Sequence, residues 1–157
     1  MGLDNSITFK IKCPSLGIHW KEYDVCYFRK YWGLRGQMLK VIGSFDRDDY
    51  EYSLTRENIY DFADLLEKYT KIDNVRGADL STIWDEIQEC YHIRDEYSKI
   101  KFAEDFYNEK ISLYEFIYVL SIWNGEDKVN QVLLDLLSKG EELPKDFEWA
   151  FCFSDSY

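Results

Sequence analysis

Both ends of this 157-residue chain carry the period of two that belongs to β-strands, and no other feature constrains the fold as strongly. Near the start, Ile7, Phe9 and Ile11 alternate with Thr8, Lys10 and Lys12. Near the end, Phe147, Trp149, Phe151 and Phe153 alternate with Glu148, Ala150, Cys152 and Ser154. Successive side chains of a strand point to opposite faces, so each run has one apolar face to bury. Cys13-Pro14-Ser15-Leu16-Gly17 breaks the first run, and Tyr50, Tyr52 and Leu54, after the turn-like Asp46-Arg47-Asp48-Asp49, make a weaker third. The expectation is a small antiparallel sheet that joins both termini and sets Glu148 near Lys10 or Lys12 across the strands.

Between these runs the apolar period becomes 3.6. Asp24 is placed to cap a helix running to about Ile42, with Gly43 marking its end. Thr55 caps a second, in which Ile59, Phe62, Ala63, Leu66 and Tyr69 share a face. Ser81 or Thr82 starts a third, with Ile83, Trp84, Ile87, Tyr91 and Arg94 on one side, reaching toward Asn108. Ser112 and Glu115 form a capping box that opens Leu113 to Trp123, a stretch apolar nearly all round and therefore expected to be central. The last, from about Glu126 to Lys139, turns Val129, Val132, Leu133, Leu136 and Leu137 inward before Gly140 and Pro144. The order reads β-α-β-α-α-α-α-β, an α+β fold with about five helices, and with no linker or repeat in sight residues 1–157 are taken as one domain.

Charge narrows the function classes. Residues 1–50 hold 8 basic and 6 acidic side chains, whereas residues 51–157 hold 11 basic and 24 acidic, so a part at +2 precedes a part at −13 and the chain totals −11. Such a surface repels phosphates, which excludes direct nucleic-acid binding and adhesion to an anionic membrane as main activities. Aromatics make up 18% of the residues, enough to build a core, so the acidity does not signal disorder. Cys13, Cys26, Cys90 and Cys152 follow no metal or disulfide spacing, and no signal-peptide pattern or long apolar run is present. These features point to a cytoplasmic protein with reduced thiols.

The expected first helix carries the least ordinary chemistry. Val25, Phe28, Trp32, Leu39 and Ile42 continue one apolar stripe, and Arg35 occupies the position missing from it. A desolvated guanidinium cannot neutralise itself, so a carboxylate or several carbonyls must meet it, as a structural ion pair or as part of a site. On an adjacent strip at 100° per residue lie Arg29, Gly33, Gly36 and Lys40, a glycine notch between cations that could hold an anion or seat a neighbouring element.

Three segments resemble a known group of proteins. Gly2-Leu3-Asp4-Asn5, Cys26-Tyr27-Phe28-Arg29-Lys30-Tyr31-Trp32-Gly33-Leu34-Arg35 and Phe153-Ser154-Asp155-Ser156-Tyr157 are similar to segments of small bacteriophage and prophage proteins. The resemblance covers about 20 residues and implies a phage-type protein without implying an activity. If the termini pair, Asp4 and Asp155 become the candidate partners of Arg29 or Arg35, and the three segments form one cluster.

Nothing in the sequence spells catalysis. His19 and His92 lie in different elements, Cys90 and His92 would point about 200° apart on a helix, and no phosphate loop, nucleophile elbow, dinucleotide fingerprint or metal spacing occurs. The expectation is a non-enzymatic protein without metal or cofactor. Its leading function is interaction with a basic host protein, nucleic-acid-binding or part of a defence system, through an acidic and aromatic helical face formed by Asp85, Glu86, Glu89, Tyr91, Asp95, Glu96, Tyr97, Glu104 and Asp105. Carboxylates spaced along a helix imitate a phosphate track, and aromatics supply desolvated anchors, as in DNA mimics or anti-CRISPR-like inhibitors. The alternative is a small-molecule binder that sequesters an anionic nucleotide or signal with Arg29, Trp32, Gly33, Arg35 and Lys40.

Overall fold

A computed structural model describes residues 4–29, 32–43, 51–70 and 95–156. Strand β1 (Asp4–Cys13) turns through a short 3-10 segment at Pro14–Leu16 into β2 (Ile18–Arg29). Gly17 closes the turn at φ 74°, a left-handed conformation that a residue with a Cβ adopts only under strain. Helix α1 (Trp32–Ile42), strand β3 (Glu51–Leu54) and helix α2 (Arg56–Thr70) follow. After them come α3 (residues 95–107), α4 (Leu113–Asn124), α5 (Lys128–Ser138) and β4 (Glu148–Ser156). The sheet is antiparallel in the order β2-β1-β4-β3, so the strands from the two chain ends lie side by side at its centre. This is the α+β fold expected, with five α-helices among the described residues. Glu148 lies opposite Lys12 in the register, one of the two lysines expected.

The expected first helix departs from the structure at its start. Residues 25–29 are not the start of a helix capped by Asp24 but the end of a strand, Ile18–Arg29, and the helix begins only at Trp32. The reason is a β-bulge: Ile7 pairs with Cys26 and Thr8 with Asp24, which leaves Val25 as an extra residue. The bulge shifts the phase of alternation by one, so Val25 and Phe28 stand three apart within a strand and imitate a helical stripe that Leu39 and Ile42 continue in α1.

The helices cover one face of the sheet. There Ile7, Phe9 and Ile11 of β1 sit opposite Phe153, Phe151 and Trp149 of β4. Phe9 is fully buried and has aromatic neighbours in Tyr23, Phe106, Phe116, Trp149 and Phe151, with the Phe116 ring edge-on at 4.9 Å. Helix α2 adds Ile59, Phe62, Ala63 and Leu66 to this core, and its first turn is capped as expected by Thr55, whose hydroxyl accepts from the Asn58 N–H at 3.1 Å. Ser112 likewise accepts from the Glu115 N–H at 3.1 Å to open α4. That helix is not central, however. Phe116, Ile117, Leu120 and Ser121 are buried while Tyr114, Tyr118, Ile122 and Trp123 remain exposed, because α4 has the sheet on one side only.

Strand β2 is a sheet edge, and helical side chains meet its backbone at Asp24 and Tyr27. The Asn124 amide accepts from Asp24 N–H at 2.7 Å and donates to Asp24 C=O at 3.0 Å, in the manner of a neighbouring strand. Glu96 accepts from the Tyr27 N–H at 3.0 Å. Both contacts occupy groups that would otherwise template pairing with another chain.

Candidate functional site

The chain termini and α1 meet in one polar cluster. Arg35, on the first turns of α1, donates from Nε to Asp155 Oδ1 at 2.8 Å and from Nη2 to Asp155 Oδ2 at 2.7 Å. Asn5, opposite Asp155 in the β1–β4 register, donates from Nδ2 to Oδ1 at 2.7 Å. The Arg35 and Asp155 side chains are only 12% and 6% exposed, so the pair is a desolvated fork in which each charge depends on the other. Asp155 is thus the carboxylate required by the guanidinium in the apolar stripe, and Asp4 sits opposite Arg29 in the β1–β2 register.

The same geometry removes the cationic notch. Arg29 ends a strand whereas Trp32 and Gly33 open the helix, so residues 29, 33, 36 and 40 do not form one helical strip. Lys40 is exposed in the last turn of α1, and a Cβ added to Gly36 would meet nothing within 4 Å, so no close approach explains that glycine. Of the five residues expected to bind an anion, Arg35 is already engaged by the fold.

The acidic face is redistributed as well. Asp85, Glu86, Glu89 and Tyr91 lie outside the described residues. On α3, Asp95 is exposed, Tyr97 and Asp105 are half-buried, and Glu96 is buried, 5% exposed, between the Tyr27 N–H and the Lys99 ammonium at 3.0 Å. Glu104 pairs with Lys101 at 2.8 Å, and its hydrogen bond raises the lysine's pKa. Glu96 and Glu104 therefore serve internal pairs, and the described part of α3 is not a continuous free carboxylate track.

What sequence reasoning missed is the outer side of α4. Tyr114, Tyr118 and Ile122, spaced four apart, form a row 39%, 49% and 60% exposed, with Trp123 at 38% beside it. The two tyrosine rings stack at 6.3 Å. Exposed Glu115 lies on the same helix, and exposed Glu126 and Asp127 lie at the start of α5. Burial opposes ionisation of Asp127, but hydrogen bonds from Lys21 and the Asn130 N–H outweigh it and lower the pKa. The available signal was the pair of tyrosines one turn apart in a largely apolar helix, since a tyrosine ring suits a surface that is apolar in body and polar at its tip.

A second unexpected cluster occupies the sheet face turned away from the core. Lys10, 3% exposed at the middle of β1, pairs with Glu22 at 3.1 Å and with Glu51, and lies over the Trp20 ring at 4.9 Å. Burial lowers the Lys10 pKa, yet the hydrogen bonds to Glu51 and Glu22 outweigh burial and leave it raised. Cys152 lies in the same group, where burial lifts its thiol pKa to about 11 despite the nearby ammonium, so the thiol stays protonated and inert. The free thiols of Cys13, Cys26 and Cys152 are all buried.

Among the described residues no group of three or more His, Cys, Asp or Glu could hold a metal ion, and no helix is long and apolar enough to cross a membrane. No protein-family model, curated protein or solved structure matches the chain.

Proposed function

We propose that this is a non-catalytic, cytoplasmic, phage-type interaction protein that occupies a basic surface of a host protein, either nucleic-acid-binding or part of a defence system. The observation that carries the reading is the exposed row Tyr114, Tyr118 and Ile122 on α4. It belongs to a part of the chain at −13, so apolar anchors are presented within a field that attracts cations. Aromatic anchors supply the desolvation energy, and the surrounding carboxylates supply steering and selection against acidic partners. Relative to the sequence expectation, the binding surface moves from α3 toward α4, because Glu96 and Glu104 are engaged internally. The phage-type origin is supported by the resemblance of the two terminal segments and of Cys26–Arg35, which runs from the end of β2 to the start of α1.

The test uses proteins retained from a bacterial lysate, each then purified and titrated against the parent and against Tyr114→Ser/Tyr118→Ser/Ile122→Ser. The reading requires a basic partner whose affinity falls about tenfold or more in the variant and declines with salt. Equal affinity of parent and variant overturns it, as does failure to retain any basic protein.

A further inference from the structure

Where the helical layer runs out at the start of β4, a cleft of about 640 Å³ opens between the ends of α2, α3 and β4, a volume within the range of small-ligand sites. Its walls include Phe106, Tyr107 and Trp149, and its charged members are Arg56, Lys110 and Glu109. Trp149 has Phe106, Tyr107, Phe9 and Phe151 around it at 5.1, 5.2, 5.7 and 5.8 Å between ring centres, and is nevertheless 37% exposed. A tryptophan fixed by its neighbours and still open to solvent is a stacking platform that loses little entropy when a ring settles on it.

Among the described residues Lys10, Lys21, Arg35, Lys99 and Lys101 each have a carboxylate partner, whereas the two cations of this cleft, Arg56 and Lys110, have none, as is also true of Lys40, Lys68 and Lys128 elsewhere. Arg56 is instead held by neutral groups, donating from Nε to the Tyr60 hydroxyl at 2.8 Å and from Nη2 to Asn108 Oδ1 at 2.6 Å, with its guanidinium over the Tyr60 ring. Its position is fixed while no carboxylate of the described residues lies within ion-pair distance of it. Against these two cations the lining sets one carboxylate, that of Glu109.

We infer that this cleft is a ligand site for a planar aromatic anion, a ring bearing a carboxylate or a phosphate, which stacks on Trp149 and places its charge between Arg56 and Lys110. The site is separate from the exposed row of α4 and does not depend on the interaction reading.

The test follows the Trp149 indole N–H by NMR, assigned with Trp149→Phe, during titration with benzoate, phenyl phosphate and adenosine monophosphate. Acetate and inorganic phosphate, which lack a ring, and benzyl alcohol, which lacks a charge, serve as controls. A saturable shift is expected with a charged ring and not with the controls, and the carboxylate and phosphate series show which anion is preferred. Lys110→Gln should weaken that binding by about tenfold, as should Arg56→Gln. Because Arg56 also supports Asn108 and Tyr60, Lys110→Gln is the decisive variant, its side chain having no partner to lose among the described residues. No saturable shift at millimolar concentrations, an equal shift with benzyl alcohol, or unchanged affinity in Lys110→Gln would overturn the assignment.

Discussion

Replacing Arg35 by methionine tests whether the two chain ends and α1 are held by one buried ionic fork. The substitution keeps an unbranched apolar stem and removes the guanidinium, leaving the Asp155 carboxylate, 6% exposed, with only Asn5 as donor among the described residues. Screening does not soften this loss as it would at a surface, because both side chains are largely out of water. Removing one partner of a buried pair costs about 3–5 kcal/mol, and the 12% exposure of Arg35 together with the surviving Asn5 bond places the expectation at the lower end, about 3 kcal/mol. For a domain of this size that corresponds to a fall of about 6–12 °C in Tm. Asp155→Leu should cost at least as much, since it removes the carboxylate that both Arg35 and the Asn5 amide donate to. The double variant Arg35→Met/Asp155→Leu should be more stable than the sum of the single losses predicts, giving a coupling energy above about 1.5 kcal/mol. Guanidinium chloride melts followed by far-UV circular dichroism measure all four corners of the cycle. An Arg35→Met protein within about 0.5 kcal/mol of the parent, or a cycle that closes additively, would refute the argument.

Two further outcomes follow from other contacts. Burial and the hydrogen bonds from Trp20 and Lys10 act oppositely on Glu22, and the bonds prevail, so its pKa lies below the ordinary 4.5, while that of Lys10 lies above the ordinary 10.5. The Glu22 contribution to stability is therefore full above 4.5 and lost as pH falls through its lowered folded value, and the Lys10 contribution is full below 10.5 and lost as pH rises through its raised one. Chemical melts across pH should show both declines flattened in Lys10→Met, and identical profiles would contradict the pairing. Asn124→Ala should cost about 1 kcal/mol and, by freeing the Asp24 N–H and C=O on the β2 edge, should promote self-association visible in analytical ultracentrifugation. A variant that stays as monodisperse and as stable as the parent would show that the edge needs no such cover.

Much of the architecture is legible in the residues because the relevant physics is local. Alternation at residues 7–11 and 147–153 specifies which side of each strand is apolar, and the caps at Thr55 and Ser112 satisfy backbone donors three residues away. Strand β2 is not legible by the same rule, since the bulge at Val25 replaces a spacing of two by one of three and the pattern then reads as helical. The exposure of α4 is also hidden, as an apolar helix of sequence looks alike whether covered on both sides or on one. Of the candidate surfaces, the acidic composition was visible, but whether a given glutamate faces solvent was not. Glu96 and Glu104 carry the same charge as Asp95 and yet are engaged by Lys99 and Lys101.

By itself the sequence determined that the termini share a sheet, that helices fill the interval, that the acid excess falls after residue 50, and that Arg35 needs a carboxylate or several carbonyls to meet it. Periodicity, formal charge and the cost of an unpaired buried guanidinium are properties a linear chain already carries. Only the tertiary structure decided that the carboxylate is Asp155, that Lys10 is enclosed between Glu22 and Glu51, and that Arg56 and Lys110 stand unneutralised beside Trp149. Those pairings join residues from 12 to 120 positions apart in the chain, and which partners meet follows from strand register and helix placement, which no local pattern encodes.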